Sequence, residues 1–225
     1  MIDLDGTLLD TALDITAAAN AMLREIGRPE CDVSDIRRYI GRGIPNLIKR
    51  CLAGRLAAAD DPEPPPAAAL ASFRQHYQAT NGRYATVYPG VVEGLRALQQ
   101  HGLRLACITN KATDFTLPLL QGSGLAGWFE QVVCGDTLPK SKPDPLQLMH
   151  LCRHFGIAPG DALLIGDSLN DVRAARAAGC PVFCVPYGYN EGVDVRKLDC
   201  DAIVATLEEA STLIAAVYTC STPTC

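Results

Sequence analysis

The sequence is poor in the features that mark several protein classes. It has 20 Lys+Arg against 25 Asp+Glu, a net charge of −5. It therefore lacks the basic excess from which sequence-independent nucleic-acid binding draws its affinity. No apolar run approaches the roughly 18 residues a membrane helix needs. The opening Met1-Ile2-Asp3 carries no basic and then apolar targeting segment. Membrane insertion and export are thus not expected, and the chain is expected to work in the cytoplasm. No Cys-x-x-Cys pair occurs among the 10 cysteines, so a zinc ribbon has no support. The cysteines stand singly, in expected strands (Cys107, Cys134, Cys184) and helices (Cys51, Cys152). Most read as small buried hydrophobes in reducing surroundings. Lysine is scarce as well. Only Lys49, Lys111, Lys140, Lys142 and Lys197 stand among the 20 basic residues, and three of them fall near the segments singled out below.

What is present is 225 residues, 48% of them hydrophobic. That is enough for one full core and a small insert, not for two large domains. Residues from about 12 to 83 read as helical. Thr11 to Ile26 has helical spacing, with Gly27 as a stop. Ser34 opens a short helix through Tyr39, which Gly41-Arg42-Gly43 ends. Pro45 suits the first turn of a helix to about Ala53. Arg55 to Ala69, with its run Asp60-Asp61-Pro62-Glu63-Pro64-Pro65-Pro66, reads as a loop, and a helix follows from Ala67 to Gln78.

From Pro89 short apolar strands alternate with helices. Strands are expected at Leu103–Ile108, Gln131–Cys134, Ala162–Ile165, Val182–Val185 and Ala202–Ala205. Helices are expected at Val91–Gln100, Thr113–Gln121, Pro145–Phe155, Val172–Ala178 and Leu207–Ala216. This alternation predicts an α/β fold, a doubly wound Rossmann-like parallel sheet covered on both faces. The helical stretch is then an insert after the first strand: a core of residues 1–11 and 84–225, and an insert of 12–83. No internal repeat is present.

In such sheets ligands bind outside the carboxyl ends of strands. Those ends carry Asp3-Leu4-Asp5-Gly6-Thr7, Thr109-Asn110, and Gly166-Asp167-Ser168 followed by Asn170-Asp171; Lys142-Pro143-Asp144-Pro145 leads into a later helix. Several carboxylates, one Lys and one Thr would converge on one crevice. Unpaired, the carboxylates would repel and raise one another's pKa values. A divalent cation resolves the conflict. An oxygen-rich site with few protein carboxylates suits Mg²⁺, which commonly shares its shell with a substrate phosphate.

These segments, in this order, resemble the four motifs of the haloacid-dehalogenase-type phosphatases: Asp3-Leu4-Asp5-Gly6-Thr7-Leu8, Ile108-Thr109-Asn110, Lys142-Pro143-Asp144-Pro145 and Gly166-Asp167-Ser168-Leu169-Asn170-Asp171. Finer marks are similar to the bacterial branch of that family acting on 2-phosphoglycolate. They are Val87-Tyr88-Pro89-Gly90-Val91, Thr109-Asn110-Lys111, Ala177-Ala178-Gly179-Cys180-Pro181 and Pro186-Tyr187-Gly188-Tyr189-Asn190-Glu191-Gly192. The resemblance implies a Mg²⁺-dependent enzyme for a small phosphorylated metabolite. Asp3 is implied as nucleophile and Asp5 as general acid and base. Mg²⁺ would be held by the Asp3 carboxylate, the Asp5 backbone carbonyl and Asp167. Thr109, Asn110 and Lys142 would bind phosphoryl oxygens, and Asp171 would stand behind the metal ligands. It also implies that residues 12–83 form a cap over the site.

Other readings stay open at this point. Asp144 reads as an N-cap before Pro145. Arg42 would either fork onto a substrate carboxylate or be a solvated residue of a surface turn. His150 and His154 read as a solvated helix face, and Tyr187-Gly188-Tyr189-Asn190 as a structural loop beside the site. A phosphosugar mutase and a non-catalytic phosphoester-binding protein are the alternatives to a phosphatase. A dehalogenase leaves Asp5 without a task. Only Met1 and Ile2 precede Asp3, where the family has several apolar residues. Losing about four buried apolar side chains at roughly 1.5–3 kcal/mol each rivals a domain's whole margin of about 5–15 kcal/mol, so a native start upstream is expected. The ending from Tyr218 to Cys225 is expected to be a loose tail.

Overall fold

A computed structural model of the chain describes residues 1–220, with side chains through 216. Three-residue strands form the centre. They are β3 (Ala106–Ile108), β4 (Gln131–Val133), β5 (Leu164–Gly166) and β6 (Val182–Cys184), with β7 (Ala202–Ile203) beyond. Of these, β3 and β5 are buried throughout. Strand β3 pairs in parallel with β4, β5 with β6, and β6 with β7. Ile2 joins the two halves, bridging in parallel to Cys107 on one side and Ile165 on the other. The parallel order is therefore β4, β3, the N-terminal segment, β5, β6, β7, and Asp3 emerges from the middle. Helices alternate with these strands as the pattern predicts: α5 (Val91–Gln100), α6 (Thr113–Gly122), α7 (Leu146–Phe155), α8 (Leu169–Ala178) and α9 (Leu207–Cys220).

The helical stretch is α1 (Ala12–Glu25), α2 (Val33–Tyr39), α3 (Gly43–Ala53) and α4 (Ala67–Thr80). It leaves through β1 (Leu9–Asp10) and returns through β2 (Thr86–Val87), which pair antiparallel. Its own buried cluster joins Met22, Leu23, Ile48, Phe73 and Tyr77, and takes in Phe115 and Tyr189 from the α/β part.

Several boundaries differ from the sequence expectation. The strands are shorter, because hydrophobicity marks burial and not pairing. Leu105, for example, is buried but lies outside the β3 ladder. Helix α2 opens at Asp32, not Ser34, and α3 starts at Gly43, ahead of Pro45. Helix α8 starts three residues early. There Asp171 Oδ2 accepts from the Ser168 N–H (3.1 Å) and hydroxyl (2.6 Å), fixing the first turn. A 3-10 turn, Leu56–Asp60, interrupts the expected loop. Helix α9 runs on to Cys220, so the first three residues of the expected loose tail, Tyr218 to Cys220, are helical instead, and its remainder lies outside the described residues. Among the described cysteines all are free, six of them buried. Among the described residues, no helix is long and apolar enough to cross a membrane.

Candidate active site

The first motif folds locally for visible reasons. The Leu4 carbonyl accepts from the N–H groups of Leu8 (2.9 Å) and Leu9 (3.0 Å), which turns Asp5-Gly6-Thr7 out of the sheet. Gly6 has φ +89, and a Cβ there would lie 2.4 Å from Asp167 Oδ2. Only glycine satisfies both the backbone angle and the close approach. Thr7 then donates its hydroxyl to Asp167 Oδ1 at 3.0 Å. Gly166 serves the other side, since a Cβ there would meet the Asp171 carboxyl carbon at 2.4 Å.

This folding brings Asp3, Asp167 and Asp171 together. Each offers a carboxylate oxygen within 4.8 Å of the others, and all three are buried. Lys142 lies among them. Its Nζ donates to Asp171 Oδ1 (2.6 Å) and the Ile108 carbonyl (3.1 Å), and pairs with Asp3 Oδ1 (2.8 Å). Three partners use all three ammonium donors. Lys142 is therefore no solvated loop lysine. Burial alone would lower its pKa, but Asp171 and Asp3 overcome this and hold it above the usual lysine value.

One Lys does not balance three carboxylates. Burial pushes the Asp3 carboxyl up to about 7; Lys142 opposes this and the Asp171 charge adds to it. Asp167 is raised well above its ordinary value, first by burial, then by Asp3 and Asp171. The donor set is all oxygen and short of positive charge, which suits a hard divalent cation. The Asp5 backbone carbonyl receives no backbone hydrogen bond among the described residues.

The Asp5 carboxylate turns the other way. It accepts from the Thr11 hydroxyl (2.7 Å) and from Lys111 Nζ (3.0 and 3.3 Å). Asp3, Asp5, Thr109, Asn110 and Lys142 all line one cavity, roofed by apolar side chains of the helical insert such as Ile15, Leu47 and Phe73. The buried Thr109 Oγ1 accepts from the Lys111 N–H (3.1 Å), so its own proton remains to be donated. Asn110 spends both amide donors, on the Gly41 carbonyl (2.9 Å) and the Lys142 carbonyl (2.7 Å).

Arg42 is not brought into this cavity. Its loop reaches the mouth, where the Gly41 carbonyl accepts from Asn110 and Asn170. The guanidinium, though, turns to Asp60 (2.7 Å) and Glu191 (3.3 Å). Asp144 caps α7, its Oδ1 accepting from the Leu146 N–H at 3.0 Å. Sequence reasoning missed Lys111 and Tyr77 as cavity residues. The scarcity of lysine and its place in Thr109-Asn110-Lys111 were the signals for Lys111.

Tyr189 links this site to the start of the insert. Its N–H donates to Asp167 Oδ2 and its hydroxyl donates to Asp10 Oδ1, both at 2.5 Å. The same hydroxyl accepts from the N–H groups of Thr11 (2.8 Å) and Ala12 (3.0 Å). Tyr189→Phe strands the buried Thr11 N–H, while the Ala12 N–H keeps Asp10 Oδ1 at 3.2 Å, at a cost of about 1–3 kcal/mol. For a chain of this size the Tm should fall by about 2–12 °C. Thermal unfolding followed by circular dichroism checks this, and an unchanged Tm would show that the hydroxyl carries no such load.

A family model described as haloacid dehalogenase-like hydrolase matches residues 1–185. This chain belongs to that family. Its relatives include a phosphoglycolate phosphatase of Thiobacillus denitrificans, 54% identical over 217 residues, covering 95% of this chain and 94% of the relative. Another, from Nitrosospira multiformis and of the same name, is 56% identical over 214 residues with the same coverage. The solved structure of a predicted phosphoglycolate phosphatase from Haemophilus somnus superposes with a TM-score of 0.85 at 30% identity, covering 95% of this chain and 96% of that one. The doubly wound α/β architecture with a helical insert is thus the family's fold on this chain.

Proposed function

We propose that this hydrolase dephosphorylates 2-phosphoglycolate to glycolate and inorganic phosphate, through a phosphoryl group carried on Asp3. The observation that carries the reading is the buried cluster of Asp3, Asp167, Asp171 and Lys142 at the floor of a roofed cavity. The names of relatives more than half identical to this chain support it. Residues 12–83 act as a cap over a core of 1–11 and 84–225. The apolar roof excludes bulk water from the reacting groups.

In the first step an Asp3 oxygen attacks phosphorus and the ester P–O bond breaks. Asp5 gives a proton to the departing alkoxide. In the second step water attacks the same phosphorus, Asp5 takes its proton, and phosphate leaves Asp3. Thr11 and Lys111 hold the Asp5 carboxylate in place for both tasks. The free Thr109 hydroxyl proton and the Asn110 backbone N–H meet the phosphoryl oxygens, and the Lys142 ammonium beside Asp3 offsets their charge. Asp3, the Asp5 carbonyl and Asp167, with Asp171 behind them, would hold Mg²⁺, which would supply Lewis-acid polarisation.

A panel of small phosphoesters, assayed for free phosphate with Mg²⁺ and with EDTA, tests the reading. Phosphate release from 2-phosphoglycolate is expected with Mg²⁺, and a fall of at least about 100-fold in EDTA. Isomerised ester without free phosphate would instead identify a mutase. Full turnover in EDTA would remove the metal from the scheme.

A further inference from the structure

The cavity holds a second buried cation, whose task in the phosphoryl chemistry is confined to holding Asp5. Lys142 serves the phosphoryl end. Lys111 lies beside Asp5, its side chain 4% exposed. Its ammonium forks onto the two oxygens of the Asp5 carboxylate and donates to the Tyr77 hydroxyl, from helix α4 of the insert. Three oxygens, two of them on one carboxylate, thus surround the ammonium. Tyr77 is 1% exposed, and its ring lies 4.8 Å from the same Nζ. Its oxygen accepts from Lys111, and its own proton has no acceptor among the described residues. A buried tyrosine hydroxyl ordinarily finds one. Burial by itself would lower the Lys111 pKa, but Asp5 and Tyr77 outweigh it, so the group stays charged.

A buried ammonium and a spare phenolic donor thus stand together on the cavity wall next to the proton donor of the leaving group. Apart from Tyr77, the insert's wall is largely apolar, with Ile15, Leu47 and Phe73. An anion with two acceptor oxygens fits this pair, and an alkyl or neutral hydroxyl group leaves the donors stranded in an apolar roof. We infer that Lys111 and Tyr77 receive a substrate carboxylate, so the site selects phosphomonoesters whose carboxylate carbon lies about two bonds from the ester oxygen. This deepens the phosphatase reading above and rests on it. Lys111 then has two contacts, one orienting Asp5 and one choosing the ester. Tyr77 brings recognition from the insert to the core.

The test compares kcat/KM for 2-phosphoglycolate and for ethyl phosphate, which keeps the chain length and removes the charge, in wild type, Tyr77→Phe and Lys111→Met. In wild type 2-phosphoglycolate should be preferred. In both variants that preference should fall by about 10- to 100-fold, the range of a hydrogen bond to a charged group. Tyr77→Phe removes a single oxygen and keeps the packed ring, so it answers even if Lys111→Met does not fold. Parallel losses on both esters, with the preference kept, would mean that the two groups only position Asp5, and the inference falls while the phosphatase reading stands. A folded wild type that releases phosphate from neither ester in Mg²⁺ would sink that reading and this inference with it.

Discussion

Asp3→Asn should abolish turnover and at the same time make the metal-free protein more stable. The activity loss is expected at about 10⁴-fold or more, because the substituted amide cannot carry the phosphoryl group and no neighbour replaces it. The stability gain follows from the crowded floor. In the folded state the Asp3 carboxyl titrates at about 7, against an ordinary 3.8, chiefly because it is buried and because Asp171 is charged beside it. The folded state thus holds its proton more tightly than the unfolded chain. Asp3 therefore lowers stability progressively as pH rises from about 4 to about 7, and the full penalty stands above that window. Asn lifts the penalty and retains an oxygen for the Leu4 N–H, now 2.7 Å from Asp3 Oδ1. In EDTA at pH 8 the variant's Tm should exceed wild type by a few degrees, roughly 2–6 °C, with the difference vanishing near pH 4. A catalytically dead variant with a lower Tm at pH 8 would show that the pair with Lys142 outweighs the repulsion.

Lys142→Met should do the opposite to stability. Methionine fills much the same volume, so the change tests charge and not packing. It leaves Asp3 and Asp171 without the ammonium that pairs with both. Removing one partner from a buried ionic group costs about 3–5 kcal/mol, or roughly 6–20 °C of Tm at this chain length. The same substitution removes a cation from the phosphoryl oxygens, and kcat should fall by about 10²–10³-fold. Thermal melts in EDTA and phosphate-release rates in Mg²⁺ read the two effects separately. A Tm within 2 °C of wild type would mean that the carboxylates relax or protonate at little cost.

The floor of the site was legible because its chemistry is local. An Asp3-Leu4-Asp5-Gly6-Thr7 run after two apolar residues, and an Asp167 ending an apolar strand, state their positions through spacing alone. The same holds for the alternation from Pro89 onward, which gave the layer order. Side chains placed by tertiary packing were not legible. Tyr77 comes from a helix 34 positions before Lys111, and nothing in its own surroundings points there. Arg50 looks like a solvated helix residue, yet it is 1% exposed, donating to the carbonyls of Tyr39 and Leu56 and pairing with Glu191 across the molecule. Asp14 is similar. It is buried in α1 and accepts from the N–H groups of Gly82 and Tyr84, both at 2.7 Å. For Arg42 the loop was readable, but the direction of the side chain was not, because Asp60 and Glu191 decide it.

The helical insert departs through Leu9–Asp10 and comes back through Thr86–Val87, which lie side by side in one antiparallel ribbon. Neighbouring strands stand about 4.8 Å apart. Whatever lies between two such posts can grow, shrink or be traded for another module without any strand of the parallel sheet changing its neighbour. Bond-breaking groups are then inherited outside the insert, and Tyr77, which faces the ester from the other side, inside it. Descendants of one ancestor can change what they accept while leaving untouched how they cut it.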